Sequence, residues 1–264
     1  MNSIEVCRIC TSSSLRFGEA TLIDRHRTAY YQCPTCGFVQ TSDPTWLADA
    51  YANAVTDTDI GLISRNLLHA AIARALITVV FDARATFLDY GAGYGMFVRL
   101  MRDAGYDFRY HDKHCRNLFA TGLEVTAPSS TAFTMLTAFE VLEHLADPIA
   151  GVDEMLRYSD AILFTTELVS SPAPSPDAWW YYGLEHGQHI SFFTVPALEI
   201  LADRFGLRLS TNRKNIHLLT RRSIPSWLFR VLSRQRIAST IAMFARRQSL
   251  LPEDYRRISG KDLR

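Results

Sequence analysis

Phe87-Leu-Asp-Tyr-Gly-Ala-Gly-Tyr-Gly-Met-Phe97 decides the reading of this chain. An apolar run ends in an acid, Asp89, and glycines follow at Gly91, Gly93 and Gly95. The pattern predicts a buried strand that breaks into a tight turn and then a helix. A ligand at such a turn meets bare backbone at the positive end of the helix. Glycine suits the turn because a Cβ would block that approach or forbid the backbone angles. The stretch therefore points to a nucleotide-like ligand.

The flanking sequence alternates helical and strand-like segments. Apolar positions at Leu62, Ile63, Leu67, Leu68, Ala71, Ile72, Ala75 and Leu76 predict a helix over 61–80. Strands are expected at 86–90, 107–112, 132–139 and 161–165, with helices at 96–104, 147–158 and 195–205. Asp147-Pro148 is an acid and a proline where helix starts favour them. Short elements fill 116–126, and strands near 207–212 and 215–220 lie close enough to form an antiparallel hairpin. Strands alternating with helices predict an α/β fold, a mostly parallel sheet covered on both faces.

Asp112 stands 23 residues after Asp89, at the end of the second strand, where it suits ribose hydroxyls. A dinucleotide-binding domain would look similar. Two features separate them: Asp89 precedes the glycines, and their spacing is G-x-G-x-G rather than G-x-G-x-x-G.

These residues resemble the class I S-adenosylmethionine-dependent methyltransferases, whose first motif runs acid-x-Gly-x-Gly-x-Gly. Asp89, Gly91, Gly93 and Gly95 match it. The resemblance continues through Thr137-Ala-Phe-Glu-Val-Leu-Glu-His144 and Glu185-His-Gly-Gln-His-Ile-Ser-Phe-Phe-Thr194. It covers roughly residues 5–220 and extends to a branch of deoxysugar C-methyltransferases and surface-glycan methyltransferases with a zinc-ribbon front end. It implies a Rossmann-like seven-stranded methyltransferase sheet with its last strand antiparallel. It also implies S-adenosyl-L-methionine as cofactor. Asp89 would meet the cofactor's ammonium tail, Gly91 and Gly93 would pack on it, and Asp112 would hold its ribose. Ala138 and Phe139 would line its exposed side. In the branch, a Glu-His pair serves acid/base chemistry. Here His189 carries over, but Gln188 replaces the glutamate and cannot act as an acid or a base.

Histidine suits proton transfer near neutral pH, which makes His189 and His144 the candidate catalytic groups. Tyr182, Glu185, His186 and Gln188 are candidate substrate contacts. The run Trp179-Trp-Tyr-Tyr182 reads either as an apolar wall over a sugar or lipid, or as a packed lid.

Cys7-Arg-Ile-Cys10 and Cys33-Pro-Thr-Cys36 form two C-x2-C knuckles 22 residues apart, a spacing that suits four thiolates around a structural zinc. Gly37 fits the turn after the second pair. Cys115 stands outside this set and reads as a small core residue.

The chain has 264 residues, 48% of them apolar and 21% charged, with net charge +1. That is an ordinary globular composition. Residues 213–264 nevertheless carry 13 Lys/Arg against 3 Asp/Glu, a basic end on an acidic body. Trp227, Leu228, Val231, Ile237, Ile241 and Phe244 fall at near-helical spacing within 224–250, interleaved with Arg230, Arg234, Arg236, Arg246 and Arg247. An amphipathic basic helix of this kind packs on the body, meets substrate phosphates or lies on a membrane surface. The expected organisation is a zinc-ribbon-like region over 1–45, a methyltransferase domain over 46–222 and a basic helical tail over 223–264. The first residues lack a signal peptide's basic start and apolar core, and reduced thiols fit a cytoplasmic protein.

The leading expectation is methyl transfer to a sugar, nucleotide sugar, glycan or related small metabolite. A nucleic-acid methyltransferase fits the ribbon and basic tail but lacks the Asn-Pro-Pro-Tyr type of segment, having Ala138-Phe-Glu-Val instead. A non-catalytic cofactor-binding module is the third reading.

Overall fold

The computed structural model describes residues 4–51, 60–127, 133–245 and 247–263. Arg246 and the start of the strand expected from residue 132 lie outside these residues. In chain order come β1 (Ile4–Val6), β2 (Ser13–Leu22), β3 (His26–Gln32), β4 (Val39–Thr41), α1 (Leu47–Ala50) and α2 (Leu62–Val80). Then follow β5 (Thr86–Tyr90), α3 (Met96–Asp103), β6 (Asp107–His111), β7 (Met135–Ala138), α4 (Pro148–Leu156) and β8 (Ala161–Thr165). The chain continues through β9 (Ser191–Phe192), α5 (Val195–Arg204), β10 (Arg208–Thr211) and β11 (Ile216–Thr220). It ends in α6 (Ser226–Leu232), α7 (Gln235–Phe244) and α8 (Leu251–Ser259).

The main sheet has the order β10-β11-β8-β7-β5-β6. β5 pairs in parallel with both β6 and β7, and β7 pairs in parallel with β8. The last strand, β11, runs antiparallel to β8 and β10, as expected. The sheet has six strands among the described residues, not seven. Where a further edge strand would flank β6, a single parallel bridge joins Tyr110 to Glu124. Too little of 116–126 is extended to add more rungs. The chain leaves β5 to one side for β6 and returns on the other for β7. This switch point opens a crevice beyond the carboxyl ends of the strands.

Side chains alternate between two cores, as a sheet covered on both faces requires. Phe87, Met135 and Leu163 face α2, α3, α6 and α7. Leu88, Leu136, Ile162 and Phe164 face α4 and α5. Each fully buried large apolar side chain contributes about 1.5–3 kcal/mol. Helix α4 starts where the sequence predicts, because Asp147 Oδ1 accepts from the Ile149 and Ala150 amides at 3.0 Å.

The N-terminal strands form a second, antiparallel sheet of order β1-β2-β3-β4-β9. Its fifth strand comes from far along the chain: Val39 pairs with Phe192 and Gln40 with Ser191. Cys7, Cys33, Cys36 and Phe38 pack into the same core as Leu198 and Phe193. The Phe38 and Phe193 rings meet edge to face at 5.1 Å. Thr194, the cap of α5, donates its hydroxyl to the Cys36 carbonyl at 2.5 Å. The N-terminal sheet is thus fastened to the body.

Helix α2 is long and apolar enough to cross a membrane by length and composition. Its Ile72, Ala73, Ala75, Leu76 and Ile77 are buried in the core with β5 and α3. The single amphipathic pattern expected over 224–250 breaks at Ser233–Arg234 into α6 and α7. Phe229, Leu232, Ala238 and Ala242 pack inward, while Trp227 and Phe244 stay exposed. Arginines clamp this end to the body: Arg247 Nε donates to the Gly105 carbonyl at 2.9 Å, and its guanidinium lies over Tyr106. Arg102 of α3 forms a buried bidentate pair with Asp254 of α8, at 2.7 Å for both bonds.

Candidate functional site

The crevice at the switch point is a cleft of about 970 Å³. One end is built from the glycine turn. Gly91 has φ +70°, and a Cβ there would stand 2.7 Å from Val141 Cγ2. Gly93 also lies in the left-handed region, but a Cβ on it would meet nothing within 4 Å, so its backbone borders open cleft. The turn is anchored to β6, because the Gly91 amide donates to the His111 carbonyl at 2.9 Å. Gly95, with φ +84°, caps α3 and packs toward Ala120 and Asn117, behind the cleft wall.

Asp112 bridges the turn and the loop after β6. Its Oδ2 accepts from the Gly93 amide at 2.8 Å, and its Oδ1 accepts from the His114 and Cys115 amides at 2.7 Å. Asp89 sits at the cleft floor, 3% exposed, and accepts from the Thr137 hydroxyl at 2.5 Å. Burial raises its pKa to about 7 against the pull of that hydrogen bond, and the charge of Asp112 adds to the rise. Phe139 forms the facing wall, with its ring 4.4 Å from His69 and 5.0 Å from Phe97. Ala138 is fully buried in β7 and stands behind this wall rather than in it.

The other end joins the 3-10 turn Leu142–His144 to the segment before β9. The Ile190 amide donates to the Glu143 carbonyl at 2.8 Å. The His144 and His189 rings meet edge to face at 4.9 Å, and His186 lies 4.7 Å from His189. His144 Nδ1 is 2.9 Å from the Tyr51 hydroxyl, and His189 Nδ1 is 2.6 Å from the Tyr181 carbonyl oxygen. Burial lowers His144 to about 4, with nearby His186 adding, and holds His189 well below the usual imidazole value. Glu143 is fully buried and accepts from the Tyr181 hydroxyl at 2.5 Å. Burial, with Glu140's charge adding, pushes its carboxyl well above the ordinary range.

Of the candidate substrate contacts, Glu185, His186 and Gln188 line the cleft. The Gln188 side-chain amide also holds α1, donating to the Ala50 carbonyl at 2.9 Å. Tyr182 does not reach the cleft. It is packed against Tyr30 and Phe192, and its hydroxyl donates to the Pro174 carbonyl at 3.0 Å. Its neighbour Tyr181 faces the cleft instead, because the 3-10 turn Trp180–Tyr182 sends successive side chains in different directions. Cys115 also lines the cleft rather than filling a core. Tyr51 and His69 are further lining residues that no motif in the sequence marked. For His69 the one available signal was a histidine interrupting the apolar face of α2.

The four cysteines Cys7, Cys10, Cys33 and Cys36 converge with all sulfurs within 4.8 Å of one another. Cys7 and Cys36 Sγ are 3.6 Å apart, and Cys10 and Cys33 Sγ are 3.4 Å apart. Tetrahedral zinc, with bonds of about 2.3 Å, would set sulfurs about 3.8 Å apart, so the donor set fits that ion. Cys7 is held down to about 5 by its hydrogen bond with Cys36, whose own thiol is raised in return.

Residues 63–212 match the methyltransferase domain family. The chain belongs to that family. It is a methyltransferase. Solved structures of similar fold include the plantazolicin methyltransferase BpumL in complex with SAH. That likeness has 14% identity, covers 67% of this chain and 94% of that one, and has a TM-score of 0.45. The SAH-bound magnesium protoporphyrin IX methyltransferase ChlM from Synechocystis PCC 6803 has 13% identity, coverage of 67% and 93%, and a TM-score of 0.43. SAH-bound CalO1, a methyltransferase in calicheamicin biosynthesis, has 16% identity, coverage of 66% and 60%, and a TM-score of 0.43. At such likeness none assigns a substrate or a residue to this methyltransferase. No curated protein matches the chain.

Proposed function

We propose that the methyltransferase binds its donor at the glycine-turn end of the cleft and a small hydroxylated acceptor at the histidine end. The acceptor classes we favour are a sugar, a nucleotide sugar, a glycan or a related metabolite. One observation carries this reading: a single cleft runs from Gly93, Asp89 and Asp112 to His144, Tyr181 and His189. Its volume of about 970 Å³ stands at the upper end of small-molecule sites, about 300–1,000 Å³, as suits a site that holds two reactants together.

S-adenosylmethionine supplies an activated methyl group on a sulfonium. The Gly93 backbone gives a face without a Cβ, Asp112 suits ribose hydroxyls, and the Asp89 carboxylate lies at the end where an ammonium needs it. Phe139, backed by His69 and Phe97, closes the apolar side of the cofactor site. Methyl transfer is an in-line displacement, so holding donor and acceptor in line supplies much of the acceleration. At the far end, His144, His189 and Tyr181 meet the acceptor and handle the proton of its nucleophile. Half-exposed polar groups together with the indole of Trp180 suit a sugar, which has polar edges and C–H faces.

The four cysteines hold a structural zinc in this reading. Four thiolates leave no open coordination position, so the ion steadies residues 1–45 against α5 and takes no part in methyl transfer. The arginines of the basic end serve mainly as clamps on the body.

The test is incubation of the full chain with methyl-labelled S-adenosylmethionine and a panel of sugars, nucleotide sugars and lipid-linked glycans. Acceptor-dependent formation of S-adenosylhomocysteine, reduced at least tenfold in His189→Gln, supports the reading. Turnover with nucleic acid only would replace it.

A further inference from the structure

The acceptor end contains a cluster of three residues that hydrogen bonding alone leaves incomplete. Glu143, His144 and His189 each place one donor atom within 4.8 Å of the others. They come from two segments about 45 residues apart in the chain, tied together by the Ile190–Glu143 backbone bond and by Ser191 Oγ donating to the Leu145 carbonyl at 2.7 Å. Glu143 is fully buried, its Oε1 accepts from Tyr181, and its Oε2 has no hydrogen-bond partner. A buried carboxylate oxygen without a donor is a costly arrangement unless a cation meets it.

The two imidazoles differ: His189 offers one ring nitrogen, whereas the His144 ring carries two hydrogen bonds. The His189 Nδ1–H points at the Tyr181 carbonyl oxygen at 2.6 Å, which leaves Nε2 with its lone pair. His144 is held by Tyr51 at Nδ1 and by a further backbone hydrogen bond at Gln188. Fixing one ring nitrogen on a carbonyl and offering the other is the arrangement that orients metal-binding histidines. His144 and His189 line the cleft, and Glu143 lies buried behind them, so a cation among the three would face the cleft on the histidine side.

We propose that Glu143, His144 and His189 hold a divalent transition-metal cation at the acceptor end of the cleft. Two imidazoles, one carboxylate and open positions suit zinc and its first-row neighbours. Donor atoms at about 2.1 Å from one ion would stand roughly 3–3.4 Å apart, and the three here lie within 4.8 Å of one another. A cation would take the place of one of the two hydrogen bonds on the His144 ring. This inference rests on the cleft being the methyl-transfer site, and it names what the acceptor must offer: an oxygen that ligates the cation, such as a hydroxyl of a vicinal diol. Bound there, the cation would polarise that oxygen and ease loss of its proton to solvent in the cleft, with His144 and His189 serving as ligands in place of proton acceptors. The site is chemically distinct from the four thiolates, which suit a closed structural ion.

The experiment is metal analysis of the full chain equilibrated with zinc and freed of excess by gel filtration, with S-adenosylhomocysteine titrated into the same samples. Glu143→Gln keeps the shape of the side chain and His189→Gln keeps a polar group, and the two come from separate segments. The expected result is one zinc fewer per chain in each variant than in the wild type, with S-adenosylhomocysteine affinity within threefold of wild type. Equal zinc content in wild type and both variants overturns the cation site. Failure of the wild type to bind S-adenosylhomocysteine would instead strike the reading of the cleft, and the zinc count is read independently of it.

Discussion

The Gly93 amide donates to Asp112 Oδ2 at 2.8 Å, so the glycine turn after β5 and the acid after β6 form one ligand-facing unit. Asp112 also accepts the His114 and Cys115 amides, which shapes the loop beside the cleft. Hydrogen bonds to a charged group are worth about 1.5–3 kcal/mol each. Asp112→Ala is expected to weaken S-adenosylhomocysteine binding roughly 10- to 100-fold, read by isothermal titration. A Kd within twofold of wild type would remove Asp112 from the cofactor site.

Asp89 gives the binding a pH signature. Its pKa in the folded protein is raised by burial to about 7, from the ordinary 3.8. Below that pH the carboxyl is protonated, and meeting the donor's ammonium requires expelling the proton. Affinity for S-adenosylmethionine should therefore fall by up to about tenfold per pH unit below about pH 7 and level off above it. The linked stability effect has the opposite slope. The ionised form is disfavoured by folding, so the ligand-free protein loses stability as pH rises from 3.8 to about 7. Asp89→Asn should flatten both profiles. A wild-type affinity independent of pH between about 5.5 and 8 would contradict the assignment.

Much of this site was legible in the sequence because it is local. Asp89–Gly95 and the two cysteine pairs are short patterns in which neighbours in the chain are neighbours in space. The apolar run Phe87-Leu88 before Asp89 likewise marked a buried strand. The rest depends on long-range pairing that periodicity does not encode. Nothing in Val39-Gln40 announces Phe192 and Ser191 as partners, and nothing near Tyr51 points to His144. Tyr182 and Tyr181 were indistinguishable in sequence, and a 3-10 turn decides which one faces the cleft. The edge strand was expected from the family resemblance, whereas the chain at Glu124 makes only one bridge.

The basic end should contribute to stability through its buried pair. The Arg102 and Asp254 side chains are 3% and 2% exposed, and Arg99 and Arg257 also reach Asp254. Removing one partner strands buried charge, at a cost of about 3–5 kcal/mol. Asp254→Ala is expected to lower the thermal midpoint by roughly 10 °C. Burial disfavours the charged Asp254, but the arginines outweigh it and its pKa is lowered. Its contribution is therefore present above the unfolded carboxylate value and lost as pH falls through the lower folded value. An unchanged midpoint in the variant would show that α8 adds nothing to the fold.

Zinc removal tests the front end. The cysteine cluster shares a core with Phe193 and Leu198, and Thr194 is bonded to Cys36. Cys33→Ser is expected to remove one zinc and lower the thermal midpoint on the order of 10 °C, since binding free energy of a structural ion is folding free energy. Methyl transfer should suffer more than S-adenosylhomocysteine binding, because β9 and the His189 segment are tied to this sheet while the glycine turn is not. Loss of zinc with no change in the midpoint would contradict a structural role.

The most direct measurement of the central claim is calorimetric titration of S-adenosylhomocysteine into the wild type and into Gly93→Val. The valine projects a branched side chain into the open cleft and also strains the turn, because Gly93 has φ +55°. One site per chain is expected in the wild type, with affinity at least 100-fold weaker in the variant and an unchanged circular dichroism spectrum. Equal affinity in the two proteins, or no binding by the wild type, would contradict it.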